Sequence, residues 1–243
     1  VDPKHPERFK PMPVLGDLYK VLLQNPETKR LANILNRLVN GSAATFNQQT
    51  NVNLDSRYIV LDISELTGDL LAVGMFIGLD YVWDKCKEDR TVEKAIFIDE
   101  IWQLLGSNSS ASNHLAAEFT LEIFKVIRGY GGAAVCASQD ISDFFALDDG
   151  KFGRGIINNA RTKIILNMED DEARRVQSIL HLSETETMAI THFERGSGLI
   201  SSNNNNITVE FKASDLEKEL ITTDRSELQA ILQRKQRQED NTH

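Results

Sequence analysis

Two adjacent carboxylates, Asp99 and Glu100, follow directly on the apolar run Ala95–Ile98, and an apolar pattern at helical spacing (Ile101, Leu104, Leu105) resumes behind them. Strands buried in parallel sheets read as continuous apolar runs, and ligands gather just beyond their carboxyl ends. An acid pair at that place suits phosphoryl transfer. One carboxylate holds Mg²⁺, usually through water, and the second group orients the water that attacks a γ-phosphate. A buried strand ending in an ordinary polar turn is the plainer alternative. Two acids followed at once by an amphipathic helix are the rarer pattern and favour the functional reading.

Two further residues are placed to join that chemistry. The run Ala133–Ala137 ends in Ser138-Gln139-Asp140 and follows Ala95–Ile98 through a helix, so the two strands are expected to be parallel and joined by a right-handed crossover. Gln139 then emerges at the same edge as Asp99 and Glu100, within reach of a γ-phosphate or its attacking water. Arg128, near the end of the intervening helix, has two readings. It complements the helix dipole, the commoner use of such a residue, or it stabilises transition-state charge in cis or across a subunit interface.

Other chemistries find no support. His5, His114, His181, His192 and His243 lack the close spacing of metal ligands, and no Gly-x-Ser-x-Gly elbow is present. Cys86 and Cys136 are too few and too far apart for a disulfide framework or a zinc site, which fits a reducing cytoplasm. The phosphate-cradling loop Gly-x-x-x-x-Gly-Lys-Ser/Thr is also missing from this sequence, because Gly150-Lys151 continues into Phe152. A chain that opens on Val1 reads as a fragment or a processed product; either that loop lies upstream of Val1, or this chain does not bind nucleotide.

The elements around these residues set the architecture. With 243 residues and 41% hydrophobic content the chain can bury one substantial core with a small appendage. Its net charge of −9 does not support general nucleic-acid binding, leaving only a local basic channel for such a partner. The longest apolar stretch, Leu70–Leu79, is about half of a membrane span. Val1–Pro13 is proline-rich and reads as a connector, and two helices follow at Leu15–Leu23 and Lys29–Val39, before a polar segment at Ser42–Arg57. An α/β part then begins with a β-rich run, Tyr58–Ile63, which would bring Asp62 to the same edge, and a long helix over Leu66–Glu88. After Ala95–Ile98 come a Ser/Asn-rich loop (Ser107–Asn113) and a helix over His114–Arg128. Beyond Ala137 the pattern predicts short helices at Ile141–Leu147 and Phe152–Asn159, a strand at Thr162–Leu166 and a helix at Glu169–Leu180. Three short strands, Met188–Glu194, Gly198–Ser201 and Ile207–Phe211, are then expected as an antiparallel meander, followed by a charged, fraying helix from Ser214 to His243.

Taken in order, Ile96–Leu105, Arg128–Gly132, Ala137–Asp140 and Ile156–Ala160, with Val60–Ser64 upstream, resemble the motif series of the TraC-type ATPases of conjugation and type IV secretion, in the FtsK/HerA group of P-loop motors. The resemblance spans most of the chain to about Phe211. It implies an α/β fold: a RecA-like P-loop NTPase core (58–213) with a mostly parallel sheet and antiparallel strands near the C-terminus. An N-terminal helical subdomain (1–57) and a charged tail (214–243) flank that core. It also implies ATP and Mg²⁺ as cofactors, with Asp99 as the metal-binding acid, Glu100 as the catalytic base and Gln139 as the γ-phosphate sensor. Arg128 becomes a phosphate-contacting or finger arginine, although Gly129 stands where relatives often carry a second basic residue. A homo-hexamer working with other secretion-channel proteins, cytoplasmic and peripheral to the inner face of the membrane, is the expected assembly. Two alternatives stand beside this motor. A DNA translocase or coupling protein would show salt-dependent DNA affinity, and a non-catalytic assembly module would lack the phosphate loop altogether.

Overall fold

The computed structural model describes residues 11–41, 43–51, 56–67, 69–105, 111–203 and 205–240, which pack as two compact units, Val1–Gly78 and Leu79–His243. Most of the connector Val1–Pro13 and of the Ser107–Asn113 loop therefore lies outside the described residues, as do Ser42, residues 52–55 and the last three residues.

In the first unit, α1 (Leu15–Gln24) and α2 (Lys29–Val39) pack on each other. The turn between them is built by Asn25, whose side chain accepts a hydrogen bond from the Glu27 amide at 3.0 Å, with Pro26 starting a single 3₁₀ turn. These are the two helices expected from periodicity. Tyr58–Ile63, expected as a strand, is not one. It has no ladder partner among the described residues and leaves Tyr58 84% and Val60 70% exposed. β-Branched and aromatic residues favour a strand only where a neighbour pairs with them and a face is covered. Asp62 instead closes a local turn, accepting from the Ser64 amide at 2.9 Å, and that bond holds its carboxyl below the ordinary range. It lies in a different packing unit from Asp99 and Glu100.

The long helix α3 (Asp69–Glu88) leads into the second unit. There β1 (Lys94–Ile98) is followed by the single turn α4 (Trp102–Leu105) and by α5 (Ala111–Val126), which runs into a 3₁₀ turn at Ile127–Tyr130. Gly131 reverses the chain at φ 71°, and a Cβ there would come 2.7 Å from the Arg90 carbonyl oxygen. The chain then enters β2 (Gly132–Cys136), which pairs parallel with β1 from Lys94↔Gly132 to Ile98↔Cys136. One face of this pair supplies buried Ile96 and Ile98, whereas Phe97 on the other face is 75% exposed.

Beyond β2, the chain makes two 3₁₀ turns (Ile141–Phe145 and Asp148–Gly150) and then α6 (Lys151–Asn159), which packs against α5 and the first of those turns. Gly153 permits that approach, since a Cβ at this buried position would fall 1.8 Å from the Phe144 carbonyl oxygen. Because the obstacle is backbone, Gly153→Ala should destabilise the fold by about 3 kcal/mol, read as a lower midpoint in denaturant titration.

The last layer is antiparallel. β3 (Thr162–Ile165) pairs with β4 (Ser197–Ser202), and β4 with β5 (Asn205–Glu210). Thr162–Leu166 thus joins the antiparallel sheet rather than the parallel pair. Between β3 and β4 lie α7 (Asp170–Leu180) and α8 (Glu184–Thr191). Met188–Glu194, expected as a strand, is mostly the end of α8. The helix is started by a capping box in which the Ser183 amide donates to the Glu186 carboxylate at 2.7 Å and the Glu186 amide donates to the Ser183 hydroxyl at 3.3 Å. Ile165, Ala173, Val176, Leu182, Ile190 and Leu199 form the core under this sheet, with Ile141 packed against it. The C-terminal segment is two helices, α9 (Asp215–Ile221) and α10 (Arg225–Asp240), separated where Asp224 accepts from the amides of Ser226 and Glu227. Among the described residues no helix is long and apolar enough to cross a membrane.

Candidate active site

The parallel pair continues for one step beyond its strands. The Ala137 amide donates to the Ile98 carbonyl at 3.0 Å, and the Ile101 amide donates back to the Ala137 carbonyl at 3.0 Å. These two bonds fasten the tails of β1 and β2 together at the point where Asp99, Glu100 and Gln139 leave them. Between the bonds Glu100 takes up φ 51°, a left-handed conformation that a residue with a Cβ seldom adopts and that clusters at functional sites. Ile101, fully buried, anchors the chain immediately after this turn.

Gln139 Nε2 donates to Glu100 Oε1 at 2.6 Å, joining the two strand tails through their side chains, and Trp102 Nε1 donates to the other oxygen, Oε2. Asp99 is exposed, and its Oδ1 accepts from the Glu100 amide at 3.0 Å. Three of the four residues singled out from sequence are therefore at one edge, and two are in direct contact.

The segment carrying Gln139 is held from both sides. Ser138 Oγ donates to Asp143 Oδ2 at 2.7 Å, and Asp140 Oδ1 accepts from the Ser142 amide at 2.7 Å, so Gln139 sits between two tied neighbours. The Ser142 hydroxyl and amide keep the Asp140 carboxyl below its ordinary range. Glu172, on α7, is pushed the other way, first by burial and then by its hydrogen bond with Asp140.

Arg128 is placed elsewhere. It is exposed in the turn that enters β2, at the opposite end of the strand pair from Glu100 and Gln139. Five strand residues intervene, about 16 Å at the usual rise. Within one chain it does not join the other three. Sequence reasoning missed Trp102, since a tryptophan at the start of an amphipathic helix reads as packing until Glu100 is seen to turn back over it.

A model of the TraG P-loop domain family matches residues 20–238 of this chain. The chain belongs to that family. A solved structure, VirB4 of Thermoanaerobacter pseudethanolicus, is similar with a TM-score of 0.74 and 26% sequence identity, over 87% of this chain and 59% of that one. The chain thus spans about 59% of the length of that relative. No curated protein sequence matches it. The likeness to conjugation and secretion ATPases carried by the motifs holds at the level of the family, and the mixed α/β fold is that of a P-loop ATPase.

The TraG P-loop fold accommodates one implied group directly. Mg²⁺ takes hard oxygen ligands and keeps several waters, needing only one or two carboxylates besides phosphate oxygens. Exposed Asp99, at the tip of β1, offers carboxylate oxygens of that kind, and among the described residues no cluster of three or more His, Cys, Asp or Glu forms a ready-made metal cage. The residues present fit that ion. They do not supply the amide cradle for a triphosphate, because the glycine-rich loop is absent from the sequence.

Cys136, one residue before the junction, has its thiol pushed up to about 11 by burial. The thiolate is the reactive form, so at pH 8 about a hundredth as much of it is present as for an ordinary thiol. In a Cys86→Ser background, native Cys136 should be alkylated slowly at pH 8, with the rate rising about tenfold per pH unit until it levels off above about 11. Rapid labelling at pH 8 would contradict this.

Proposed function

We propose that this chain is the metal- and water-handling half of an ATP-hydrolysing motor that powers conjugative DNA transfer or type IV secretion. The observation that carries the reading is the 2.6 Å hydrogen bond between Gln139 and Glu100 across the tails of adjacent parallel strands. In this reading 58–213 is the catalytic core, 1–57 a helical insertion and 214–243 a surface tail.

Asp99 would hold Mg²⁺, which would supply charge neutralisation for a bound triphosphate. Glu100 accepts the proton of the attacking water. A carboxylate has about four lone-pair positions and here spends two, one on each oxygen, so it retains acceptors for that water. Gln139 uses its amide to register the γ-phosphate position and to pass that position to Glu100. Arg128, exposed and at the far end of the strands, serves in trans, reaching the site of a neighbouring subunit of a homo-hexamer. The phosphate loop belongs to the rest of the full-length protein, which works in the cytoplasm against the inner face of a membrane channel, beside other secretion-channel proteins. The test is Mg²⁺-dependent phosphate release from ATP by the full-length protein, compared with its Glu100→Gln form. A full-length protein with no such turnover would make the fold a docking module.

A further inference from the structure

We propose that Trp102 is a positioning residue for Glu100, fixing the carboxylate through its indole N–H so that the oxygen facing Gln139 stays aligned for water activation. The inference rests on Glu100 being the residue that accepts the proton of the attacking water.

The geometry is local and unusual. Glu100 and Trp102 are two residues apart, a spacing at which side chains of a regular helix do not face each other. They meet because Glu100 is left-handed at φ 51° and because fully buried Ile101 is pinned between them by the hydrogen bond its amide donates to the Ala137 carbonyl. Inward Ile101 and outward Glu100 and Trp102 make a stitch that turns the carboxylate back over the first residue of α4.

The residue type fits the task. Trp102 is 42% exposed, so core packing alone does not account for a tryptophan on this one-turn helix. Its N–H goes to Glu100 Oε2. An indole nitrogen is a donor only. It can therefore hold a carboxylate without competing for the proton that the carboxylate must take. A lysine or histidine in its place would add charge or a titrating group beside the base. The two donors on Glu100 divide the work between them. Gln139 reaches Glu100 from a separate strand, whereas Trp102 is on the same turn as Glu100 and holds the carboxylate independently of that strand.

Freed from the indole, a three-torsion side chain on an exposed edge spreads over several rotamers, and small misplacements of a reacting group are costly in rate. The test uses the full-length protein and three forms: Trp102→Phe, a benzothienylalanine form that keeps the bicyclic shape with sulfur in place of N–H, and Glu100→Gln. The expected result is a fall in kcat of about tenfold for both Trp102 replacements, with KM for ATP within about twofold of the parent. If benzothienylalanine restores turnover, the ring and not its N–H matters, and the proposal is wrong. It also fails if Trp102→Phe turns over like the parent while Glu100→Gln abolishes activity, in which case the ATPase reading survives. Turnover unaffected by Glu100→Gln overturns both.

Discussion

Glu100→Gln should lower ATP turnover by the full-length protein by about a thousandfold while leaving ATP binding intact. The amide is the same size as the carboxylate and can still accept the Trp102 indole N–H through its oxygen. Its nitrogen then faces Gln139, whose own amide can flip to offer an oxygen in place of Nε2. The hydrogen-bonded edge therefore survives, and so does Asp99 with its bond to the residue 100 amide. What disappears is the group able to take a proton from water. Kinetically this is a loss in kcat without a matching rise in the dissociation constant for ATP, measured by single-turnover hydrolysis beside nucleotide-binding titration. A variant that loses binding as well as turnover would mean that Glu100 holds the nucleotide rather than the water.

Gln139→Ala should cost about thirtyfold in turnover. Truncation leaves Glu100 Oε1 without its strand-to-strand partner, but Gln139 is exposed and water can take its place, so stability should change by less than about 1 kcal/mol. Glu100 remains tied to Trp102 and keeps its chemistry. The loss falls instead on the coupling between phosphate position and base, so it should appear in kcat. Because Ser138 and Asp140 are tied independently to Asp143 and Ser142, the segment itself should keep its shape in this variant.

Much of this edge is legible in the sequence for a physical reason. Parallel strands read as continuous apolar runs, so Ala95–Ile98 and Ala133–Ala137 announce themselves even though Phe97 and Val135 on their outer face are exposed, and whatever follows each must emerge at the same end of the pair. That reasoning delivers Asp99, Glu100 and Gln139 together. Applied to Arg128 it gives the opposite answer, because a residue that precedes β2 enters at the amino end. Tyr58–Ile63 has the composition of a strand, but composition does not supply the partner on which a ladder depends. Met188–Glu194 was open to a better reading, since Ser183-Glu184-Thr185-Glu186 is a capping-box signature that starts a helix just upstream. The left-handed turn at Glu100 had no such signal. Nothing in the side-chain types at 99–102 requires a positive φ, and it is that turn, set by the tertiary bonds of Ile101 and Ala137, that brings Trp102 to the carboxylate.

The most direct measurement is a double-mutant cycle on single-turnover ATP hydrolysis by the full-length protein, with Glu100→Gln, Gln139→Ala and the two combined. If the pair joined at 2.6 Å acts as one unit, the double variant should be no slower than Glu100→Gln alone, within about twofold. Losses that simply multiply would show that the two side chains act separately and that their hydrogen bond is incidental to hydrolysis.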